Sequence, residues 1–292
     1  MKIFASGLGA PEAPVFLPDG SLLCVEMSPD KGCLTHLSAD GRSRRQLPRT
    51  GRPNGLALDR AGQIWVAETA QRAVLKATLQ GDYEVFARDC DGEPFLFLND
   101  LAFGPSGDLF VTDSGIVIDA IVPGGQLVPN YRALPFDGRV YRIDTRTRRV
   151  EIIDRGFHFT NGLAFGPDGH LYVNETLSGN IYRYVCRDGV VTGRRELFGN
   201  VIEHFNEAEL KGPDGMKFGA DGNLYVAVFG QGDITVLDPQ GKLVRRIKTH
   251  GVYPTNLAFG GDGERAIYVT EGATGTLQVH AVETSGFPLP AA

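Results

Sequence analysis

Six oxygen-bearing side chains recur at one position of a repeated sequence pattern. Each opens a short apolar run of the type Asn161-Gly162-Leu163-Ala164-Phe165, and the six are Glu12, Asn54, Asn99, Asn161, Asp214 and Thr255. Two carboxylates, three carboxamides and one hydroxyl supply oxygen ligands without a thiol or an imidazole. Such a set is the chemistry of a hard cation, and it suits Ca²⁺ better than Zn²⁺. Taken singly, Asn, Asp or Thr also satisfies backbone groups of turns, so a structural interpretation stands beside the metal one at each position.

The elements that must position these side chains form a repeat. In its clearest copy, a first strand over 160–165 leads through the turn Pro167-Asp168-Gly169 to a second strand with alternating apolar residues. This is the pattern of a β-hairpin. The turn glycines of the six copies are Gly20, Gly62, Gly107, Gly169, Gly222 and Gly263. Their spacing of roughly 41 to 62 residues matches the ~40–50-residue period of propeller blades.

The repeat predicts an all-β fold, a six-bladed β-propeller of four-stranded blades. Runs such as 139–143, 180–184 and 233–237 supply third strands, and 150–153 supplies a fourth. The last repeat ends near Val282 without room for a fourth strand, whereas Lys2-Ile3-Phe4-Ala5 precedes the first repeat without a partner. We therefore expect the N-terminal strand to complete the sixth blade and close the ring. Since the repeat uses nearly the whole chain, residues 1–292 are expected to form a single domain.

In a propeller the first strand of every blade lines the central channel. The six residues that begin these strands are therefore predicted to form a ring at one mouth of the channel. One divalent cation is expected there, Ca²⁺ before Zn²⁺, Mn²⁺ or Mg²⁺.

Composition and charge narrow the classes of partner. The formal net charge is −6 and the basic residues are scattered, which argues against nucleic acid. No stretch reads as a signal peptide or a membrane span, so a cytoplasmic protein without membrane contact is expected. The expected partner is a small molecule, and the expected state is a monomer or a weak homo-oligomer. The four cysteines lack metal-ligand spacing and are expected to be reduced.

Two intervals between repeats are longer than the rest. About 20 extra residues lie between Gly115 and Asp137, and a shorter excess lies at 201–211, just before Asp214. The first segment follows a second strand and therefore emerges at the face where that strand ends. The second segment immediately precedes the ring residue Asp214. The apolar content of 116–135 argues against disorder, and we expect this loop to be a lid that sets substrate choice. Deleting it is expected to alter specificity more than thermal stability.

Several other residues are candidates for lesser roles. His158 lies three residues before Asn161 and is interpreted either as a substrate-contacting proton shuttle or as a structural residue. Carboxylates end four second strands and are expected to support the ring or brace the blades; they are Glu68, Asp113, Glu175 and Glu271. No Gly-x-Ser-x-Gly motif, phosphate-binding loop or dinucleotide fingerprint is present, so the sequence does not support serine-hydrolase or nucleotide chemistry.

The chain resembles the SMP-30/gluconolactonase/LRE-like family over its whole length. The segments that carry the resemblance are Glu12-Ala13-Pro14-Val15-Phe16, Asn99-Asp100, Thr160-Asn161-Gly162 and Pro213-Asp214-Gly215-Met216. The resemblance implies a six-bladed propeller with a divalent cation in its channel and lactone hydrolysis. By position, Glu12, Asn161 and Asp214 correspond to metal ligands and Asn99 to a ligand or substrate contact. Asp214 also corresponds to the general base.

One position departs from the family pattern. Sugar-lactone members have an arginine two residues before the Asn of the Asn-Asp pair, where this chain has Phe97. This makes a less polar lactone or ester a credible substrate, with Phe97 and Asn54 as substrate contacts. The resulting hypothesis is a metal-dependent lactonase, a carboxylic ester hydrolase. Two alternatives stay open: a phosphotriesterase of the diisopropylfluorophosphatase type, and a non-enzymatic calcium-binding propeller.

Overall fold

Each repeat of the sequence forms one four-stranded antiparallel sheet, and six such sheets are arranged as the blades of a β-propeller. The computed structural model describes residues 1–261 and 263–288. The first strand in the chain is β1 (Lys2–Ala5). Blade 1 comprises β2 (Pro11–Phe16), β3 (Leu22–Glu26), β4 (Cys33–Leu37) and β5 (Arg44–Arg49). Blade 2 comprises β6 (Pro53–Leu58), β7 (Ile64–Glu68), β8 (Ala73–Ala77) and β9 (Tyr83–Ala87).

Blades 3 and 4 each carry an additional two-stranded hairpin that the repeat did not predict. The hairpin before blade 3 is β10 (Asp89–Cys90) with β11 (Glu93–Pro94). Blade 3 comprises β12 (Leu98–Phe103), β13 (Leu109–Asp113), β14 (Gly138–Ile143) and β15 (Val150–Phe157). Blade 4 comprises β16 (Thr160–Phe165), β17 (Leu171–Glu175), β18 (Asn180–Tyr184) and β21 (Glu196–Asn200), interrupted by the hairpin β19 (Cys186–Arg187) and β20 (Val190–Val191).

The last two blades complete the circle. Blade 5 comprises β22 (Gly212–Phe218), β23 (Leu224–Phe229), β24 (Asp233–Leu237) and β25 (Leu243–Lys248). Blade 6 comprises β26 (Pro254–Phe259), β27 (Ala266–Glu271), β28 (Thr276–Ala281) and the N-terminal β1. Strand β1 pairs antiparallel with β28, which confirms the predicted closure of the ring. Phe4 also packs edge-to-face on Tyr268, with 5.2 Å between the ring centroids.

The inner strands β2, β6, β12, β16, β22 and β26 surround the central channel, and each contacts the inner strands of both neighbouring blades. The second strands are buried along most of their length because apolar clusters fill the space between adjacent blades. The fourth strands are outermost and accordingly more exposed. The six turn glycines adopt φ angles between 74° and 86°, the left-handed region that these hairpin turns require.

Within residues 1–261 and 263–288, helical structure is confined to the long loop between β13 and β14. It contains the four-residue helix α1 (Ile118–Ile121) and two 3₁₀ turns at Pro123–Gly125 and Tyr131–Ala133. Across 1–261 and 263–288, no helix has the length and apolarity needed to span a bilayer. All four cysteines are free thiols, as the sequence predicted.

Candidate metal and active site

The six oxygen-bearing residues occupy equivalent places at the start of the inner strands. We call the face of the propeller on which they lie the ring face, and the opposite face, which carries the first hairpin turns, the turn face. In all six blades the pairing of the inner strand with the second strand is interrupted at this position by a β-bulge or irregularity. Bulges re-aim side chains at such sites. Five members of the ring are 2–6% exposed, and Asp214 is the one that retains partial exposure.

Hydroxyl groups fix the orientation of two ring amides. The Asn99 Nδ2 group donates to Ser114 Oγ, and the Asn161 Nδ2 group donates to Thr176 Oγ1, both at 3.1 Å. With the nitrogen of each amide bound in this way, its carbonyl oxygen is directed elsewhere. Asn161 Oδ1 is buried and has no hydrogen-bond partner among the described residues. A buried oxygen of this kind is expected to have a ligand, because leaving it unpaired costs about 1–3 kcal/mol.

The two hydroxyls also connect neighbouring blades. Ser114 donates to the carbonyl of Thr160 at 2.9 Å, and Thr176 donates to the carbonyl of Pro213 at 2.9 Å. In blade 2 the equivalent Thr69 donates to the carbonyl of Leu98 at 2.9 Å. Each hydroxyl therefore fixes the backbone immediately before the next ring residue. The sequence carries a signal for this arrangement, since an acidic residue followed by Ser or Thr ends three of the second strands.

The channel holds three carboxylates, and two of them have an oxygen without a hydrogen bond among the described residues. Glu12 Oε2 and Asp100 Oδ2 are buried without a partner among the described residues. Burial, and then the charges of Asp214 and Asp100, raises the pKa of Glu12 well above its usual value. Burial, and then the charge of Asp100, raises the pKa of Asp214, whose carboxylate is surrounded by protein although the residue is partly exposed. Burial likewise raises the pKa of Asp100.

The charge of this group suits one divalent cation. Lys217 is a cation that lines the channel, and its charge lowers the pKa values of both Glu12 and Asp100. Three carboxylates and one ammonium leave a formal charge of −2, which one divalent cation neutralises. In the part of the chain that the structure describes, no three His, Cys, Asp or Glu side chains are grouped closely enough to hold a metal. A ligand set for a cation at this place would therefore have to include amide oxygens of the ring, as Ca²⁺ coordination permits.

Two glycines allow the inner strands to approach each other next to the ring. A Cβ on Gly162 would lie 2.2 Å from the carbonyl oxygen of Asp214, and a Cβ on Gly215 would lie 1.9 Å from Cγ of Asn256. The Asn256 amide lowers the pKa of Glu12 and that of Asp100 against the effect of burial.

Asp100 and Asn256 were not predicted to be site residues. Both stand one position after the ring residues, where most other blades have glycine or alanine.

Carboxylates at the ends of the second strands brace the blades, in the manner that the sequence suggested. Asp113 accepts the backbone N–H groups of Leu96, Phe97 and Gly115 at 2.7–2.9 Å. Equivalent bonds are made by Glu68, Glu175 and Glu271, and by Glu26, which the sequence analysis did not name. These five are the bracing carboxylates. In blade 5 the equivalent position, paired with Pro213, is Val228.

The remaining predicted site residues differ in burial and in the partners that their side chains contact. Asn54 is buried within the ring, whereas the hydroxyl of Thr255 is used to donate to the carbonyl of Pro11 at 2.7 Å. Phe97 is 5% exposed and packs edge-to-face on Phe159, with 5.6 Å between the ring centroids. His158 is exposed, and its backbone N–H donates to Glu175. Its role as a substrate contact stays a prediction.

The long loop packs over the ring face. Ile116, Ile121 and Tyr131 form an apolar cluster with Leu177 of blade 4, and Phe159 and Leu210 flank it. Arg132 holds the loop down by donating to the backbone carbonyls of Leu177, Glu207 and Glu209 at 2.9–3.1 Å.

Comparisons with known proteins agree with this architecture. The model of the SMP-30/Gluconolactonase/LRE-like region matches residues 10–273. A gluconolactonase of Zymomonas mobilis is 28% identical over 283 residues, covering 90% of this chain and 77% of the relative. The diisopropyl-fluorophosphatase of Loligo vulgaris is 29% identical over 232 residues, covering 76% and 69%. A crystal structure of a calcium-binding protein, regucalcin from Agrobacterium tumefaciens, has the same fold, with a TM-score of 0.78, 19% identity and coverage of 99% and 98%.

Proposed function

This chain belongs to the SMP-30/gluconolactonase/LRE-like family, and we propose that it is a divalent-metal-dependent hydrolase that opens lactone rings. The observation that carries the proposal is the ring itself: anchored amides and two carboxylates at one mouth, with a formal charge of −2 among the channel side chains. The relatives named gluconolactonase and lactonase support the reaction class.

Glu12, Asn99, Asn161 and Asp214 would hold the cation, and their oxygen donors favour Ca²⁺. When bound, it would supply polarisation of the lactone carbonyl and stabilise the charge that develops on the carbonyl oxygen. The hydroxyls of Ser114 and Thr176 keep the two amides in one orientation before any ligand arrives. Such preorganisation reduces the reorganisation needed during the reaction.

Asp214 is the proposed general base. It is the partly exposed member of the ring and sits beside the Asn161 amide, which lowers its pKa against the effect of burial. A carboxylate oxygen of Asp214 would accept the proton of the attacking water as the water adds to the lactone carbonyl. The C–O bond of the ring then breaks, the leaving oxygen takes the proton from Asp214, and the new carboxylic acid ionises in water to give a hydroxycarboxylate.

Phe97 and its neighbours favour a lactone with an apolar part. Phe97, Phe159 and Phe136 form a chain of edge-to-face contacts between the strand that carries Asn99 and the long loop. An arginine suited to sugar hydroxyls is absent from position 97. We expect alkyl-substituted lactones to be better substrates than gluconolactone.

The test is hydrolysis of a lactone panel by protein stripped with chelator and then supplied with Ca²⁺, Mg²⁺, Mn²⁺ or Zn²⁺. Asp214→Asn should reduce kcat by roughly 10²–10⁴-fold, since general-base catalysis contributes about that much. The exposed Asp188→Asn, at the tip of the β19–β20 hairpin, is the matched control and should leave kcat unchanged. Near-normal turnover by Asp214→Asn would refute its assignment.

A second candidate is phosphotriester hydrolysis. It is favoured by the 29% identity to the squid diisopropyl-fluorophosphatase over 76% of this chain. Cleavage of a fluorophosphate without cleavage of any lactone would support this candidate over the first. Tight metal binding with neither activity would instead support a binding protein.

A further inference from the structure

A cavity lies in the channel at the turn face, at the opposite end from the ring. It has a volume of about 490 Å³, within the range of sites that bind small ligands. The last residues of all six inner strands line it. Residues 285–288 complete its wall, and this segment is fixed to blade 5 by bonds between Ala220 N and the Ser285 carbonyl and between Phe287 N and the Phe218 carbonyl.

The sequence keeps this cavity open and apolar. The third position after each ring residue faces it, and the six residues there are Val15, Ala57, Ala102, Ala164, Lys217 and Ala258. Four alanines leave the space unfilled, and leucine and phenylalanine side chains form most of the surrounding wall. The remaining two members of the set are a valine and a lysine.

Lys217 is the one charged side chain among the described residues that line the cavity. It is half-buried, and no carboxylate oxygen of residues 1–261 or 263–288 lies within 4.0 Å of its ammonium group. From farther along the channel, the charge of Lys217 lowers the pKa values of Glu12 and Asp100. An ammonium in an apolar cavity can still form a short, charge-assisted hydrogen bond to an incoming anion.

We propose that the turn-face cavity binds an unbranched aliphatic monocarboxylate, with its alkyl chain against the alanine, leucine and phenylalanine walls and its carboxylate on Lys217. Charge complementarity selects the head group, and the apolar walls select the chain. The site lies at the end of the channel opposite the ring, from which Lys217 also acts on Glu12 and Asp100, and it does not depend on the proposed hydrolysis.

The experiment is isothermal titration calorimetry of decanoate and of decanol, its neutral analogue, into protein freed of excess metal ions. Wild-type protein should bind one decanoate. Lys217→Met should weaken decanoate binding about tenfold or more, the equivalent of one charge-assisted hydrogen bond, without weakening decanol. Lys242→Met removes an exposed lysine and is the matched control, which should bind decanoate as the wild type does.

Two further variants separate binding from folding. Lys217→Arg keeps the charge and should retain decanoate binding, and Ala102→Phe fills the cavity and should abolish binding of both ligands. Circular dichroism verifies that each variant is folded. Absence of saturable decanoate binding to the wild type would overturn the proposal, as would equal decanoate affinity in wild type and Lys217→Met.

Discussion

At the scale of single residues, the ring combines side chains that are costly to bury with few partners to compensate them. Glu12 and Asp100 each keep a buried oxygen without a hydrogen bond among the described residues, and so does Asn161. Like charges close together in a poorly solvated channel raise one another's pKa. These unpaired oxygens therefore lower the free energy of unfolding while leaving acceptor atoms free for a ligand, a trade-off that is common at functional sites.

A prediction follows for Glu12→Gln. Without a cation the substitution removes a buried, mutually repelling charge, so the melting temperature in chelator should rise by about 2–4 °C. With saturating Ca²⁺ the substitution would remove one of the proposed ligands, so the stabilisation by Ca²⁺ expected of the wild type should largely disappear. Differential scanning calorimetry in both conditions measures the two shifts, with the exposed Glu283→Gln as control. A lower melting temperature in both conditions would show that Glu12 is a structural residue only.

At the scale of elements, five of the six blades present their ring residue on a braced support. In these five a bracing carboxylate accepts backbone N–H groups ahead of the inner strand, whereas blade 5 has Val228 at that position. In three blades the hydroxyl that follows the carboxylate bonds to the next blade. The loops of the ring face are supported in addition by Arg132, whose three backbone acceptors lie on the segments after β17 and before β22.

Arg132→Met tests the long loop as a lid. Loss of the charge-assisted bonds should loosen residues 116–135 without disturbing the blades. We expect kcat/KM for lactones to fall by about tenfold, faster proteolytic cleavage within the loop, and a melting temperature within about 2 °C of the wild type. Arg42→Met, whose side chain is exposed and pairs only with Asp40 among the described residues, is the control. Unaltered kinetics together with faster cleavage would contradict a role in substrate binding.

At the scale of the whole molecule, the first strand and the last described strand meet in blade 6. Strand β1 pairs with β28 through Lys2, Ile3 and Ala5, and Phe4 packs against β27 through Tyr268. Without β1, the β28 edge would be left unpaired. Closure by sheet pairing therefore links the N-terminus to the stability of the full ring of blades.

Removal of residues 1–6 should lower the free energy of unfolding by about 3–5 kcal/mol, since several strand hydrogen bonds and one aromatic contact are lost. Urea denaturation followed by tryptophan fluorescence measures this, because Trp65 is buried in blade 2. The single substitution Phe4→Ala should account for less than half of the loss. An unchanged denaturation midpoint after truncation would mean that the other five blades do not depend on closure.

His280 is expected to make the stability of the whole fold sensitive to acid. Burial in β28, and then the positive N-terminus, lowers its pKa to about 4. An unfolded histidine titrates near pH 6.5, so its contribution is complete above that pH and is lost as the pH falls towards 4. The loss amounts to about 3 kcal/mol at most. His280→Gln should flatten the fall in urea stability between pH 6.5 and 4, whereas the exposed His204→Gln should not. Identical pH profiles for His280→Gln and the wild type would disprove this source of acid sensitivity.

Much of this architecture follows from local sequence. A Pro-Asp-Gly or equivalent turn between apolar strands requires a glycine with positive φ, and six copies at blade spacing leave little choice but a propeller. The missing fourth strand of the last repeat likewise required a partner, which the N-terminal strand provides. Repetition also aligned Glu12, Asn99, Asn161 and Asp214, because equivalent positions of a repeat occupy equivalent places in space.

Only the tertiary structure shows the contacts that join one blade to another. The bonds from Ser114 and Thr176 to the next blade, the position of Asn256 against Gly215 and the contacts of Arg132 all join residues far apart in the chain. Hydrogen-bond geometry and burial arise only when the blades are packed around one channel, and no periodic pattern records them. The charge balance of Glu12, Asp100, Asp214 and Lys217 is of the same kind, since it depends on which side chains share a poorly solvated space.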